Sequence, residues 1–264
     1  MNFFLNPFKL IWKHRSLLFQ TTRNDIRARY AGSTLGLIWL FLYPLLFLGA
    51  YALMYIYVFK VRFNTLNSNE YVALIFCGLI PFIGFSEALS SGVGSVVGNA
   101  TLIKNTLFPI ELIPVKTILV SQSTQVVGTG MLMIALIFFG KLSPFTLMLP
   151  VIWACQILFS MGLIWILSSL TVYLRDIQNI IGVVILLLMM VSPIAYTAEM
   201  VPANLRSVLY INPLYYMIIS YQDTLMLGKF PSSTFGVLLG MAIGFFWVGY
   251  WFFMRMKSVF ADNV

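Results

Sequence analysis

Arg27-Ala28-Arg29-Tyr30-Ala31-Gly32-Ser33-Thr34-Leu35-Gly36-Leu37-Ile38-Trp39, running on to Tyr43-Pro44, is where the chain turns from cationic to apolar. Arg23, Arg27 and Arg29 lead into a run that carries no charge before Lys60. As a helix rising ~1.5 Å per residue, the stretch from Ser33 to Phe59 is long enough to cross a hydrocarbon core of ~30 Å. Basic side chains ahead of a first span hold that end in the cytoplasm. The sidedness of every later segment follows from this junction.

The composition agrees. Of 264 residues, 60% are hydrophobic and 9% are charged, with mean hydropathy +0.93. A soluble domain carries roughly 25% charged residues, so the chain reads as an all-α, polytopic membrane protein in one domain spanning 1–264. Its net charge of +8 reflects membrane topology and anionic headgroups, not nucleic acid, because no basic patch with base-stacking aromatics stands clear of a span. Cys77 and Cys155 both fall inside apolar segments and read as small apolar side chains, without disulfide or metal. The first residues lack the continuous apolar core and cleavage site of a signal peptide.

Six apolar segments are expected to span, at about 33–59, 71–93, 117–139, 147–170, 178–197 and 233–254. Ahead of them, residues 1–32 read as a cytoplasmic interface helix: Lys9, Lys13 and Ser16 share one face, and Phe8, Ile11, Trp12, Leu18 and Phe19 spread over the other, with Arg15 snorkelling. With that end inside, the inner segments hold eleven Lys and Arg and the outer ones hold five, and both termini are cytoplasmic. Gly94 and Gly98, and Gly236, Gly240 and Gly244, recur at four-residue spacing and suit close helix approach.

Between the last two spans, 198–232 carries Pro202, Asn212-Pro213 and Pro231 around an apolar stretch interrupted by Asp223. Two short helices, about 203–211 and 214–227, are expected to re-enter the outer mouth; a plain external loop is the alternative. Irregular backbone at membrane depth requires surrounding protein or a watery cavity.

Three absences narrow the function. No G-x-x-x-x-G-K-[ST] phosphate loop occurs. The spans hold almost no ionisable residues of the kind an ion-coupled carrier places near the midplane; Glu87 falls some ~24 Å into the second span, near the inner interface. His14 is the single histidine, and no cluster suits a metal or a nucleophile with its base. The chain reads as a conduit whose work is supplied by another subunit.

Trp39, Tyr43, Phe47, Tyr51, Tyr55 and Phe59 recur every four residues in the first span. At 3.6 residues per turn this stripe drifts ~40° per step. It reads either as an aromatic ladder over which apolar sugar faces slide, or as interfacial rings at the ends with core packing between. The inner segment 98–116, with Lys104, Phe108-Pro109 and Glu111, reads as a helix for a cytosolic partner or as an ordinary connection. Arg175-Asp176, in the inner turn after the fourth span, is a second contact for a partner or for neighbouring helices; an exposed pair adds at most ~1 kcal/mol of stability.

In order along the chain, R-Y-x-x-S-x-L-G-x-x-W-x-x-x-x-P (Arg29 to Pro44), Phe108-Pro109, Arg175-Asp176-Ile177, Ser192-Pro193-Ile194-x-Tyr196 and Asn212-Pro213-Leu214 resemble the permease subunit of ABC-2 type polysaccharide exporters. O-antigen exporters are the most similar branch, with capsule and teichoic acid exporters as relatives. The resemblance implies a homodimer in the bacterial inner membrane and two copies of a separate ATPase subunit, which would bind the ATP and Mg that this chain does not. The cargo it implies is a polysaccharide on undecaprenyl diphosphate. By analogy Arg27 and Arg29 meet the lipid diphosphate, since a guanidinium binds phosphate oxygens bidentately, or they anchor topology only. Lys104, Phe108, Pro109, Glu111, Arg175 and Asp176 would couple to the ATPase. Pro193, Tyr196, Asn212 and Pro213 would belong to an external gate within 198–232. The competing readings are an ABC-2 permease for a drug or simple lipid, a membrane-embedded glycan-modifying enzyme, and an ion-coupled carrier.

Overall fold

The computed structural model describes residues 6–58, 60, 67–100, 108–196, 200–230, 232–257 and 260, and every regular element among them is helical. The interface segment is two helices, α1 (Asn6–Lys13) and α2 (Arg15–Arg29), joined at His14. Arg15 stays at the joint: its Nη1 donates to the Trp12 carbonyl at 2.9 Å and its guanidinium lies 4.8 Å above the Trp12 ring. The Phe8 ring stacks on Phe246, and Lys116 pairs with Asp25 at 2.8 Å. These contacts tie both helices to the bundle.

Gly32 (φ 81°) and Gly36 (φ 51°) turn the chain out of α2, in a backbone region that side chains with a Cβ rarely occupy. The first apolar segment then runs from Gly36 to Val58 as a 3₁₀ turn, α3 (Trp39–Ala52) and a π-helical turn (Leu53–Val58). Three long helices follow: α4 (Ser68–Val93), α5 (Leu112–Phe138) and α6 (Leu149–Tyr173), the last preceded by a 3₁₀ turn from Pro144. α4 is the core of the bundle, with 83% of its most apolar stretch buried, against 6% for the first segment. α10 (Ser232–Met256) completes the set, so five segments among the described residues are long and apolar enough to cross a membrane.

The segment expected over 178–197 is shorter. α7 (Ile177–Val191) has 15 residues, about 22 Å of helix, and stops where Ser192 turns extended ahead of Pro193. In the region expected to hold two short helices lie α8 (Arg206–Ile211) and α9 (Pro213–Leu225), the latter capped by the Asn212 side chain accepting from Leu214 N–H. α9 is not a surface element: Leu214, Met217, Ile218, Tyr221 and Leu225 are buried, and it packs on α4, α6 and α10.

The tightest helix approach is between α6 and α10, but the expected glycines do not make it. Gly98, Gly236, Gly240 and Gly244 all face open space, while Gly94 lies beside the Gln178 side chain. Contact is made by Gly162 and Gly249, where an added Cβ would fall 2.1 Å from the Phe245 and Gly162 carbonyl oxygens respectively. Only hydrogen fits there. Gly249→Ala should lower stability by about 3 kcal/mol or more, because backbone rather than a side chain blocks the methyl group. Gly240→Ala should stay within about 0.5 kcal/mol. Thermal unfolding of the purified variants in detergent checks both.

Candidate functional site

Trp39, Tyr43, Tyr51 and Tyr55, four of the rings at four-residue spacing, line two cavities along a seam between the first apolar segment and α7. At one end a cavity of about 640 Å³ is bounded by Arg29, Tyr30, Ser33, Trp39 and Tyr43, by Ser86, Glu87, Ser90 and Ser91 of α4, by Thr124 of α5, and by Gly182 and Ile185 of α7. Further along, a cavity of about 340 Å³ is bounded by Tyr51 and Tyr55, with Ala50, Met54, Leu186, Met189, Met190 and Ser192. The first is rich in hydroxyls and charge; the second is almost wholly apolar. Phe47 lies between them, 4.9 Å from the Tyr43 ring centroid.

The stripe does not spiral away as a pure α-helix would carry it. The π turn from Leu53 holds more residues per turn than 3.6, so it takes back part of the ~40° drift. Tyr51 and Tyr55 consequently stack almost parallel, 5.9 Å apart at 7°. Phe59 and Lys104 lie outside the described residues.

Charge in the larger cavity is arranged as a ring. Arg29 Nη1 meets Glu87 Oε2 at 3.1 Å, and Thr124 Oγ1 donates to the same oxygen at 3.0 Å. Burial lowers the Arg29 pKa while the Glu87 charge and hydrogen bond raise it, and the net shift is upward, so the guanidinium is held charged. Trp39 Nε1 donates to Ser33 Oγ at 3.2 Å, steadying the ring at the mouth. Glu87 is thus at the end of α4 that meets the basic segment, as its position in the span suggests. Arg27 is exposed and does not line the cavity.

At the other end of the seam the broken backbone is held by side chains. Gln222 Nε2 donates to the carbonyls of Pro193 and Ile194 at 3.2 and 3.1 Å. Tyr71 Oη donates to Ala195 O at 2.6 Å, Tyr196 Oη to Val191 O at 2.6 Å, and Asn212 Nδ2 to Ser192 Oγ at 3.0 Å. Pro193, Tyr196, Asn212 and Pro213 therefore form one cluster. A second buried network joins Gln125, Gln156 and Tyr221, and Gln156 Nε2 donates to the carbonyl of Pro81 inside α4.

The expected coupling residues separate into two kinds. Arg175 and Asp176 are exposed beyond the end of α6, with no ion pair between them among the described residues. Phe108 and Pro109 are half-buried ahead of α5. The Glu111 side chain is buried, with Lys257 donating to its Oε1 and Trp165 Nε1 donating to its backbone carbonyl. It braces the junction of α5, α6 and the end of α10, which removes its carboxylate from the surface.

Sequence reasoning passes over Ser86, Ser90, Ser91 and Thr124 and the glutamines. The spacing of Ser86, Ser90 and Ser91 places their hydroxyls on one helical face beside Glu87, a signal that was there to be read. The glutamines gave none, because their partners are distant in sequence.

Residues 16–226 match the ABC-2 type transporter family, and the chain belongs to it. It is therefore a multi-pass transport component of an ABC-2 system. Among curated proteins it is 28% identical to an O-antigen export system permease protein RfbA of Klebsiella pneumoniae, over 93% of this chain and 94% of that one. It is 24% identical to the RfbA of Myxococcus xanthus, over 96% and 97%. Polysialic acid transport protein KpsM of Escherichia coli is 24% identical over 77% of this chain and 79% of its own length.

Gln222→Leu should cost about 1–3 kcal/mol for each carbonyl it leaves buried and unpaired at the Pro193 break. A fall in Tm in detergent, larger than that of Gln178→Leu at the exposed start of α7, is the expected outcome.

Proposed function

We propose that the chain is the permease of an exporter that moves a polysaccharide linked to undecaprenyl diphosphate, of O-antigen type, out through the bacterial inner membrane. Two copies form the pathway, and ATP is hydrolysed by two copies of a separate subunit. The observation that carries this reading is a pair of cavities, each lined by rings of the four-residue stripe and by α7: one holds a cation and several hydroxyls, and the other is apolar and lies beside a broken helix. A glycan carried on a lipid needs both surfaces. Its diphosphate suits Arg29, its sugar faces suit Trp39, Tyr43, Phe47, Tyr51 and Tyr55, and its isoprenoid suits the open apolar flank of α3 and α7.

Sidedness follows the basic residues. Arg29, Glu87 and the Glu111–Lys257 brace belong to the cytoplasmic end, with both termini there. Arg175, Asp176, Phe108, Pro109 and Lys104 then offer the ATPase its docking points. α7 with the bent Ser192–Tyr196 backbone makes the sixth crossing, and α8 and α9 re-enter as the outer gate. That reading is supported by Tyr221 Oη, which accepts from Gln125 Nε2 and donates to Gln156 Oε1, bringing α9 alongside the middle of α5 and the early turns of α6. The names of the Klebsiella and Myxococcus relatives favour an O-antigen cargo; the KpsM relative makes a capsule-type polymer the nearest alternative.

Replacing Phe47 and Tyr51 together by Ala removes the middle of the ladder. Glycan export in cells should fall by about tenfold or more while the complex with the ATPase still purifies intact, since large aromatic contacts are lost without touching the docking end. Export at the wild-type rate would remove the ladder from the mechanism.

A further inference from the structure

The larger cavity poses an electrostatic question. If Arg29 receives an anionic headgroup bidentately, that headgroup competes for Nη1 with the Glu87 carboxylate, which already holds it at 3.1 Å. Glu87 is well shielded, its side chain 10% exposed, whereas the Arg29 side chain is 37% exposed and open to an incoming ligand. A bare arginine at this place would draw in any phosphate, and the surrounding bilayer consists largely of lipids with a single one. A carboxylate already desolvated and in position sets a threshold: the incoming group must bind Arg29 better than Glu87 does.

The other residues of the cavity fit an exchange. Thr124 Oγ1 donates at 3.0 Å to the same Glu87 oxygen that Arg29 holds, so the carboxylate keeps a partner when the guanidinium leaves. Ser90 and Ser91 add hydroxyls beside it, able to donate to phosphate oxygens, while the Ser86 hydroxyl donates to the Ile83 carbonyl at 2.9 Å. A diphosphate has more charge and more acceptor oxygens than a monophosphate, and it gains most from a cation flanked by several donors.

On the reading that Arg29 meets the lipid diphosphate, we propose that Glu87 is a specificity-determining residue: an internal carboxylate that a lipid diphosphate displaces from Arg29 and that a single phosphate does not. Selectivity then comes from the competitor as much as from the attraction.

The test is equilibrium binding of geranylgeranyl diphosphate and geranylgeranyl monophosphate to the full chain in phosphatidylcholine nanodiscs. The wild type should prefer the diphosphate by about tenfold or more, the scale of one charge-assisted hydrogen bond. Glu87→Gln should bind both probes more tightly, the monophosphate gaining most, so that the preference falls to about twofold. Thr124→Val moves the other way: the released carboxylate loses its second partner, and diphosphate binding weakens by about threefold or more. Glu87→Asp keeps the charge and should keep most of the preference. Wild-type binding that is lost in Arg29→Gln, together with an unchanged preference in Glu87→Gln, overturns the exchange and leaves the diphosphate site standing. Diphosphate binding absent from the wild type, or undiminished in Arg29→Gln, overturns the diphosphate site and the exchange with it.

Discussion

Every peptide group placed in hydrocarbon must find a hydrogen-bond partner within the protein, and this chain breaks the regular helix at Ser192 ahead of Pro193. Its answer is a small set of polar side chains spent on carbonyls. Gln222 serves Pro193 and Ile194, Tyr71 serves Ala195, and Gln156 serves Pro81. Each bond comes from an element remote in sequence, and the break near Ser192 is held by α4 through Tyr71 and by α9 through Gln222. The short α7, the burial of α9 and the seam beside α3 all follow from that arrangement.

The seam itself is a consequence of unequal burial. α4 is wrapped on all sides and cannot move without disturbing the core, while the first apolar segment keeps most of its surface outward. A loosely held helix that presents rings along one face, beside a second exposed helix, is a suitable wall for a passage that must widen for bulky cargo. The polar cavity lies where these two helices meet the rigid part, and the Arg29–Glu87 pair spans the same junction.

Much of this was legible in the residues alone. Long apolar runs mark the five segments long and apolar enough to cross a membrane among the described residues; Asn212-Pro213 marks the start of a helix because its cap and its first-turn proline are local chemistry. Counting residues puts Glu87 toward the C-terminal end of its helix, and there it meets Arg29. What escaped depends on tertiary partners. Gly162 and Gly249 have no distinguishing spacing, whereas Gly236, Gly240 and Gly244 have it and face open space. Glu111 looks like a surface charge until Lys257, at the far end of the chain, is brought against it. The π turn that realigns Tyr51 and Tyr55 is a small departure in hydrogen bonding that no side-chain pattern announces.

The ABC-2 type transporter family, to which the chain belongs, generally works with a partner ATPase in an ABC exporter. The most direct measurement is transport of a lipid-linked glycan in sealed vesicles holding the purified chain, with and without the partner ATPase. Uphill movement only when the ATPase and ATP are both present is the result this account predicts. Uphill movement by the chain alone would contradict it.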